Sequence, residues 1–189
     1  MSRGLGDVYK RQEQQDLTRL TLPSASFERV FSWGVLVHIE DVERALDELC
    51  RVVAPGGTLA LAVSNLASLD YALERSARLL LRRPLAGLVR REPGDGVAYD
   101  FKGERLWFWR FKRGWLRRSM ARRGFTLRRE LMGTLTEGHV RLKGPLRLAL
   151  LQLNNLAARL GAPRSFAAMN ISVFARETEA EAEARRSAA

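Results

Sequence analysis

Cysteine is almost missing from this sequence: Cys50 stands alone among 189 residues. One thiol excludes a disulfide framework and a multi-thiolate metal centre. Cys50 falls in a helical apolar pattern, so it reads as a buried structural thiol, and no metal site is expected. Long hydrophobic runs are missing too. No stretch approaches the roughly 18 apolar residues of a bilayer span. Residues 1–16 hold no apolar run of the kind a secretory leader needs. Lysine is confined to Lys10, Lys102, Lys112 and Lys143, and no segment repeats. What remains, 46% hydrophobic and 28% charged residues, predicts one globular domain with a real core. A cytoplasmic setting fits these absences.

The conspicuous excess is arginine, which carries nearly all of a formal net charge of +11. Such a bias arises from a GC-rich genome with no function behind it, or it marks an acidic partner such as nucleic acid or an anionic membrane. The excess concentrates between Arg75 and Arg129, where fifteen arginines and two lysines face four acids. There Trp107, Phe108, Trp109, Phe111 and Trp115 are interleaved with Arg110, Lys112, Arg113, Arg117 and Arg118. Cations beside aromatics serve base stacking, phosphate contact or an interfacial membrane helix. The same pattern also arises when aromatics pack on a sheet and the arginines are solvated.

Along the chain, residues 27–32 read as a short strand centred on Val30 and Phe31, ended by Trp33-Gly34. Asp41 is a candidate N-cap, since its carboxylate can accept from unpaired backbone N–H groups. Val42, Ala45, Leu46, Leu49, Cys50 and Val53 then recur at helical spacing, and Pro55-Gly56-Gly57 stops the helix. Residues 58–63 form a nearly continuous apolar run, the pattern of a strand covered on both faces. Strand, helix and strand at this spacing predict a parallel crossover.

Residues 64–105 resist such a reading. Residues 79–89 are apolar but studded with arginine and broken by Pro84 and Gly87, and residues 92–100 read as a loop. A helix is expected over 112–123, ended by Gly124, with a strand through Phe125, Leu127 and Leu131. Pro145 opens a helix whose Leu146, Ala149, Leu150, Leu153, Ala157 and Leu160 share a face. Residues 170–176 read as a last strand, and 177–189 as a disordered, charged tail.

Asp16-Leu17, Pro23, Phe27-Glu28, Val30-Phe31-Ser32, Gly34-Val35-Leu36 and His38-Ile39, followed by the helix and the Pro-Gly-Gly turn, resemble in order and spacing the middle motifs of class I S-adenosylmethionine-dependent methyltransferases of the small-molecule, type 11-like kind. The match covers residues 14–65. A weaker echo follows at 116–127, and 170–176 resemble that family's antiparallel seventh strand. The resemblance implies a Rossmann-like α/β fold, of which strands four to seven are expected here, over residues 13–176 with an insertion at about 133–168. The antiparallel strand should lie between those beginning near Thr58 and Phe125.

By the same resemblance the cofactor is S-adenosyl-L-methionine. Asp16 would accept from the adenine amino group, the Leu17 N–H would meet the ring, and Ser32, Trp33 and Gly34 would line the cofactor at the carboxyl end of a strand. His38 is the candidate base, an imidazole able to take the acceptor's proton; its alternative role is to orient the loop before Asp41. Asn65 would face the substrate. His139 lies in the insertion without recognisable context. The expected acceptor is a small or lipid-like molecule, with peripheral contact to anionic membrane. Ser32-Trp33-Gly34-Val35 lacks the Asn/Asp-Pro-Pro-Tyr signature of base and glutamine methylation, which sets nucleic acid lower. The alternative from another class is a basic, aromatic binding module for membrane or nucleic acid.

The family's glycine-rich first motif should lie well upstream of Asp16, and Gly4 and Gly6 cannot serve because no strand precedes them. Asp7-Val8-Tyr9-Lys10-Arg11-Gln12 resembles one reading frame of a transposase library adapter, so residues 1–12 are expected to be non-native. On that expectation the parent is the enzyme, and this chain alone binds cofactor weakly and is inactive.

Overall fold

The computed structural model describes residues 12–83, 87–138, 142–178, 180, 181, 183 and 187. All but Gln12 of the adapter-like segment, and His139, lie outside the described residues. The core is built on strand β1 (Phe27–Trp33), helix α1 (Val42–Val52) and strand β2 (Val53–Ser64). Asp41 caps α1 as expected, its carboxylate accepting from the Arg44 N–H at 3.2 Å. Val42, Ala45, Leu46, Leu49 and Cys50 are all buried along one stripe, each larger aliphatic among them worth about 1.5–3 kcal/mol of removed apolar surface. Burial also pushes the Cys50 thiol up to about 12, so it is an inert packing group.

β1 and β2 pair in parallel, Arg29 opposite Thr58 through Trp33 opposite Ala62. The register jumps between Phe27, opposite Val53, and Arg29, which leaves Pro55-Gly56-Gly57 as an outward bend. Gly57 is required there: a Cβ would lie 2.8 Å from the Ala54 carbonyl and 2.9 Å from that of Glu28. Strand β7 (Met169–Arg176) runs antiparallel to β2 on one side and to β6 (Phe125–Thr134) on the other, giving the order β1-β2-β7-β6. The antiparallel strand therefore lies where the resemblance placed it, between the strands through Thr58 and Phe125.

The stretch that resisted sequence reading holds helix α2 (Leu69–Leu80) and a second, three-stranded antiparallel sheet of β3 (Leu88–Arg90), β4 (Gly94–Phe101) and β5 (Glu104–Phe111). Residues 94–100 are thus strand, not loop. Their glycines, which suggest a loop, serve close approach: a Cβ on Gly96 would stand 2.4 Å from the Trp107 ring. Helix α3 (Arg113–Arg122) follows, and α4 (Gly144–Arg159) comes after β6. The expected apolar face of α4 is not covered. Leu146, Leu153 and Leu160 are exposed, while Asn154 and Ala157 are the buried positions. Asn154 satisfies itself on the backbone of Thr136, accepting from its N–H and donating to its carbonyl, each at 3.0 Å.

The aromatic cluster is core. Trp109, Phe111 and Trp115 are each 1% exposed. Their rings continue from β5 into α3, with Phe111 and Trp115 stacked at 5.7 Å and 10° and Trp109 and Phe111 at 6.1 Å. The Trp109 indole N–H donates to the Ile39 carbonyl at 2.9 Å. These rings are not free for base stacking, which corrects the binding-module reading of this segment. Its arginines are largely occupied as well. Arg113 and Arg117 pair with buried Glu130, and Arg123 joins α3 to Glu43 and Asp47 of α1. Among the described residues no helix is long and apolar enough to cross a membrane, and no group of three or more acids, histidines or cysteines could hold a metal ion.

Candidate active site

The chemistry-bearing residues gather where β1 and β2 end in the same direction, the edge at which open α/β sheets take ligands. Ser32 is buried near the end of β1, and its Oγ has no hydrogen-bond partner among the described residues. Trp33 follows with about half its surface exposed. Gly34 leaves the strand at φ +63, its N–H donating to the Ala62 carbonyl at 3.1 Å, with nothing within 4 Å of where a Cβ would stand. A positive φ suits glycine, and the empty side allows a ligand to approach the backbone.

A short 3-10 turn over Leu36–His38 comes next, anchored by buried Leu36 and Val37. It presents exposed His38, whose Nδ1 lies 3.0 Å from the Trp107 carbonyl oxygen. A carbonyl only accepts, so Nδ1 carries the proton in this bond, and the neutral ring offers the Nε2 lone pair. The imidazole also lies 5.7 Å from the Phe108 ring.

Phe108 lines a cavity of about 780 Å³ beside the end of β2, together with Ser64, Asn65, Tyr71, Val97, Tyr99 and Arg110. Asn65 is fixed rather than available. Its Nδ2 donates to the carbonyls of Ser165 at 2.7 Å and Ala167 at 3.0 Å, and its Oδ1 accepts from the Ala67 N–H. It closes the cavity wall by tying β2 to the segment before β7. Arg110 pairs with Glu74 at 3.0 Å and lies over the Tyr71 ring at 4.2 Å. The Tyr71 hydroxyl donates to buried Asp95 at 2.7 Å. Burial first, then that carboxylate, pushes the phenol up to about 12. Tyr71 therefore stays protonated at neutral pH and is not a base.

Asp16 and Leu17 stand apart, in a tight turn that the side chain of Asp16 closes. Its Oδ1 accepts from the Thr18 N–H at 2.9 Å and the Thr18 hydroxyl at 2.8 Å. These bonds hold the carboxyl below its ordinary range, so it is ionised at neutral pH. No hydrogen bond among the described residues joins this turn to Ser32–Gly34. The turn is held instead by α1, through residues that sequence reading passed over. Arg44 Nε donates to the Thr18 carbonyl at 3.0 Å. Arg51 donates to the carbonyls of Leu22 at 2.9 Å and Leu20 at 3.1 Å, while Glu48 accepts from the Leu20 N–H at 2.9 Å and pairs with Arg51. The available signal was a Glu–Arg pair three residues apart on the polar side of α1, facing a segment with no structure of its own.

Residues 5–61 match the sequence model of a methyltransferase domain. Over 46 residues the chain is 48% identical to uncharacterized methyltransferases of Mycobacterium tuberculosis and Mycobacterium bovis, a match that covers 24% of this chain and 23% of theirs. The matched part is thus about a quarter of those relatives' length. The fold is similar to that of a SAM-dependent methyltransferase from Methanosarcina mazei, with TM-score 0.53 and 14% identity, over 87% of this chain and 66% of that one. A structure from Listeria monocytogenes named for the same activity also has TM-score 0.53, at 11% identity, over 87% and 68%. Sequence through the end of the crossover and fold across the described domain point the same way: residues 5–61 match a methyltransferase-domain model, and the described fold is similar to the Rossmann-like fold of solved S-adenosylmethionine-dependent methyltransferases.

Proposed function

We propose that the full-length protein to which this chain belongs transfers a methyl group from S-adenosyl-L-methionine to a small or lipid-like acceptor in the cytoplasm, with the acceptor in the 780 Å³ cavity beside Asn65. The observation that carries this is the end of β1, where a buried, unpartnered Ser32 Oγ precedes the open backbone of Gly34. A buried hydroxyl without a partner is destabilising by about 1–3 kcal/mol, and a polar cofactor at this edge would satisfy it. Asp16 fits too: Oδ1 is committed to the turn, and Oδ2 is left to accept from the adenine amino group, with the Leu17 N–H beside it. Trp33 would wall the same site.

When bound, the cofactor supplies a methyl group on a sulfonium. The chain's own part is to hold the acceptor and move its proton. His38 does the latter through Nε2, its Nδ1 proton pinned on the Trp107 carbonyl so that the ring stays in the receptive tautomer. Phe108, Val97, Tyr99 and Leu73 give the cavity an apolar side for a lipid-like acceptor, while Asp70, Glu74, Glu137 and the paired cation Arg110 make its other side polar.

Calorimetric titration of the full-length protein with S-adenosylmethionine tests the cofactor reading. Asp16→Ala should weaken binding by about 1–3 kcal/mol, as for a lost desolvated hydrogen bond, with thermal unfolding little changed. Equal affinity would show that Asp16 is a turn residue only. His38→Ala should leave that affinity intact and slow transfer of labelled methyl to a lipid extract by roughly 10²–10⁴-fold. A loss of only a few-fold would leave His38 the loop-orienting role.

A further inference from the structure

The end of α2 carries three consecutive, largely exposed leucines: Leu79 and Leu80 in the last turn and Leu81 at the cap are 82%, 84% and 64% exposed. Successive helical residues point about 100° apart, so the three fan over roughly half a circle, wider than a flat protein surface would cover. A fluid hydrocarbon phase could. Around them the surface is positive. A second cavity, of about 670 Å³, is bounded by Arg75, Arg78, Leu79, Arg82, Leu88 and Arg90, with no acid in its wall. Of the acids beside it, Glu74 is already shared between Arg78 and Arg110, and Asp95 lies 3.9 Å from Arg90. The side chains of Arg82 and Arg83 make no ion pair among the described residues. Exposed leucines ringed by arginine are the composition of an interfacial anchor on an anionic bilayer.

We infer that the end of α2 and the arginine-lined cavity beside β3 form a membrane-docking face, with Leu79–Leu81 in the acyl region and Arg75, Arg82 and Arg83 on anionic headgroups. Nucleic acid fits this surface less well, because it offers leucine where a base would need an aromatic ring. The tryptophans of the neighbouring segment are turned into the core. The inference deepens the lipid-like reading of the acceptor and rests on it for its role: α2 is a wall of both cavities, through Tyr71, Leu73 and Ala77 on one side and Ala72, Arg75 and Leu79 on the other. Docking by its end would bring the acceptor cavity to the bilayer surface.

Flotation with phosphatidylcholine vesicles, with and without phosphatidylglycerol, tests the face without cofactor or acceptor. Failure here is therefore distinct from failure of the methyl-transfer reading, and Asp16→Ala should float like the unaltered protein. Binding should need phosphatidylglycerol and fall with salt. Leu79→Ser with Leu80→Ser should weaken it by roughly tenfold or more per leucine. Arg82→Glu with Arg83→Glu should weaken it by at least about fivefold per charge removed. All four positions lie outside the core, so circular dichroism and thermal unfolding should be unchanged. Equal partitioning onto both vesicle types, or full binding by the leucine variant, would overturn the proposal. So would displacement from vesicles by single-stranded RNA that the leucine variant still binds.

Discussion

The two sheets of this molecule reach the same end with opposite materials. In β2, Leu59, Leu61, Ala62 and Val63 are buried because α1 and neighbouring elements cover both faces of the strand. The result is an aliphatic run that advertises itself in the sequence. β5 instead runs from exposed Glu104 and Arg105 to an alternating end, where buried Trp109 and Phe111 flank half-buried Arg110. Its partner β4 is Gly-Asp-Gly-Val-Ala-Tyr-Asp-Phe, a composition that argues against a strand. The first sheet is stabilised by uniform aliphatic burial. The second depends on a few large rings and on glycines small enough to admit them. Arginine and tryptophan together, which in composition suggest a nucleic-acid surface, here describe a core whose charges are paired around its margin.

The largest test of that contrast is Trp109→Ala. The side chain is fully buried and its indole N–H bonds the Ile39 carbonyl, so truncation removes packing, leaves a cavity and orphans an acceptor. A loss of about 3–5 kcal/mol in denaturant unfolding is expected. If Trp109 were instead a stacking platform held ready for a ligand, stability would barely move.

Next comes the charge margin. Glu130 is 7% exposed and receives Arg113 and Arg117 from α3 and Ser172 from β7. Burial raises its carboxyl, but hydrogen bonds and charge from Arg113 and Arg117 outweigh that and hold it below the usual glutamate range. The folded state therefore binds this proton less readily than the unfolded chain. The stabilisation is complete above the ordinary glutamate value and is lost as pH falls through the lowered one. Glu130→Gln should cost about 2–3 kcal/mol near neutrality, below the figure for a fully buried pair because both arginines reach solvent. Between the variant and the unaltered protein that difference should shrink in thermal melts as the solution is acidified. A constant difference across acid pH would mean that the carboxylate's charge is not what holds α3 on the sheet.

Legibility followed the physics of each region. Asp41 and the α1 stripe could be read, because capping and helical period leave local marks, and the place of the antiparallel strand between β2 and β6 followed from the family resemblance; Pro55-Gly56-Gly57 is not the helix stop, since α1 closes at Val52 and these residues lie within β2. β4 could not be read, since its glycines answer to Trp107 and Arg110 on the neighbouring strand rather than to their own chain neighbours. The α4 stripe misled in the other sense, with helical spacing but most of its leucines in solvent. In the candidate site the residue types at Ser32, Gly34 and His38 were legible. The backbone bond that sets the His38 tautomer comes from β5, whose strand register no local pattern announced.

Arg51 offers the smallest expected effect and separates the site from the scaffold. Its guanidinium is partly exposed, so Arg51→Ala should lower global stability by only about 1 kcal/mol, the scale of one or two partly solvated hydrogen bonds. Locally the loss is larger in kind. Arg51 holds the carbonyls of Leu20 and Leu22 and fixes Glu48, which in turn accepts from the Leu20 N–H. Without it the segment carrying the Asp16 turn should open independently of the sheet. Amide exchange at Leu20 should quicken well beyond the change at Leu59 and Leu61 of β2, and affinity for S-adenosylmethionine should fall a few-fold. Arg51 touches no proposed ligand position, so this loss would mark it as a positioning residue. Equal acceleration at Leu20 and in β2 would instead make Arg51 a general stabiliser of α1, and the turn would owe its place to Arg44 alone.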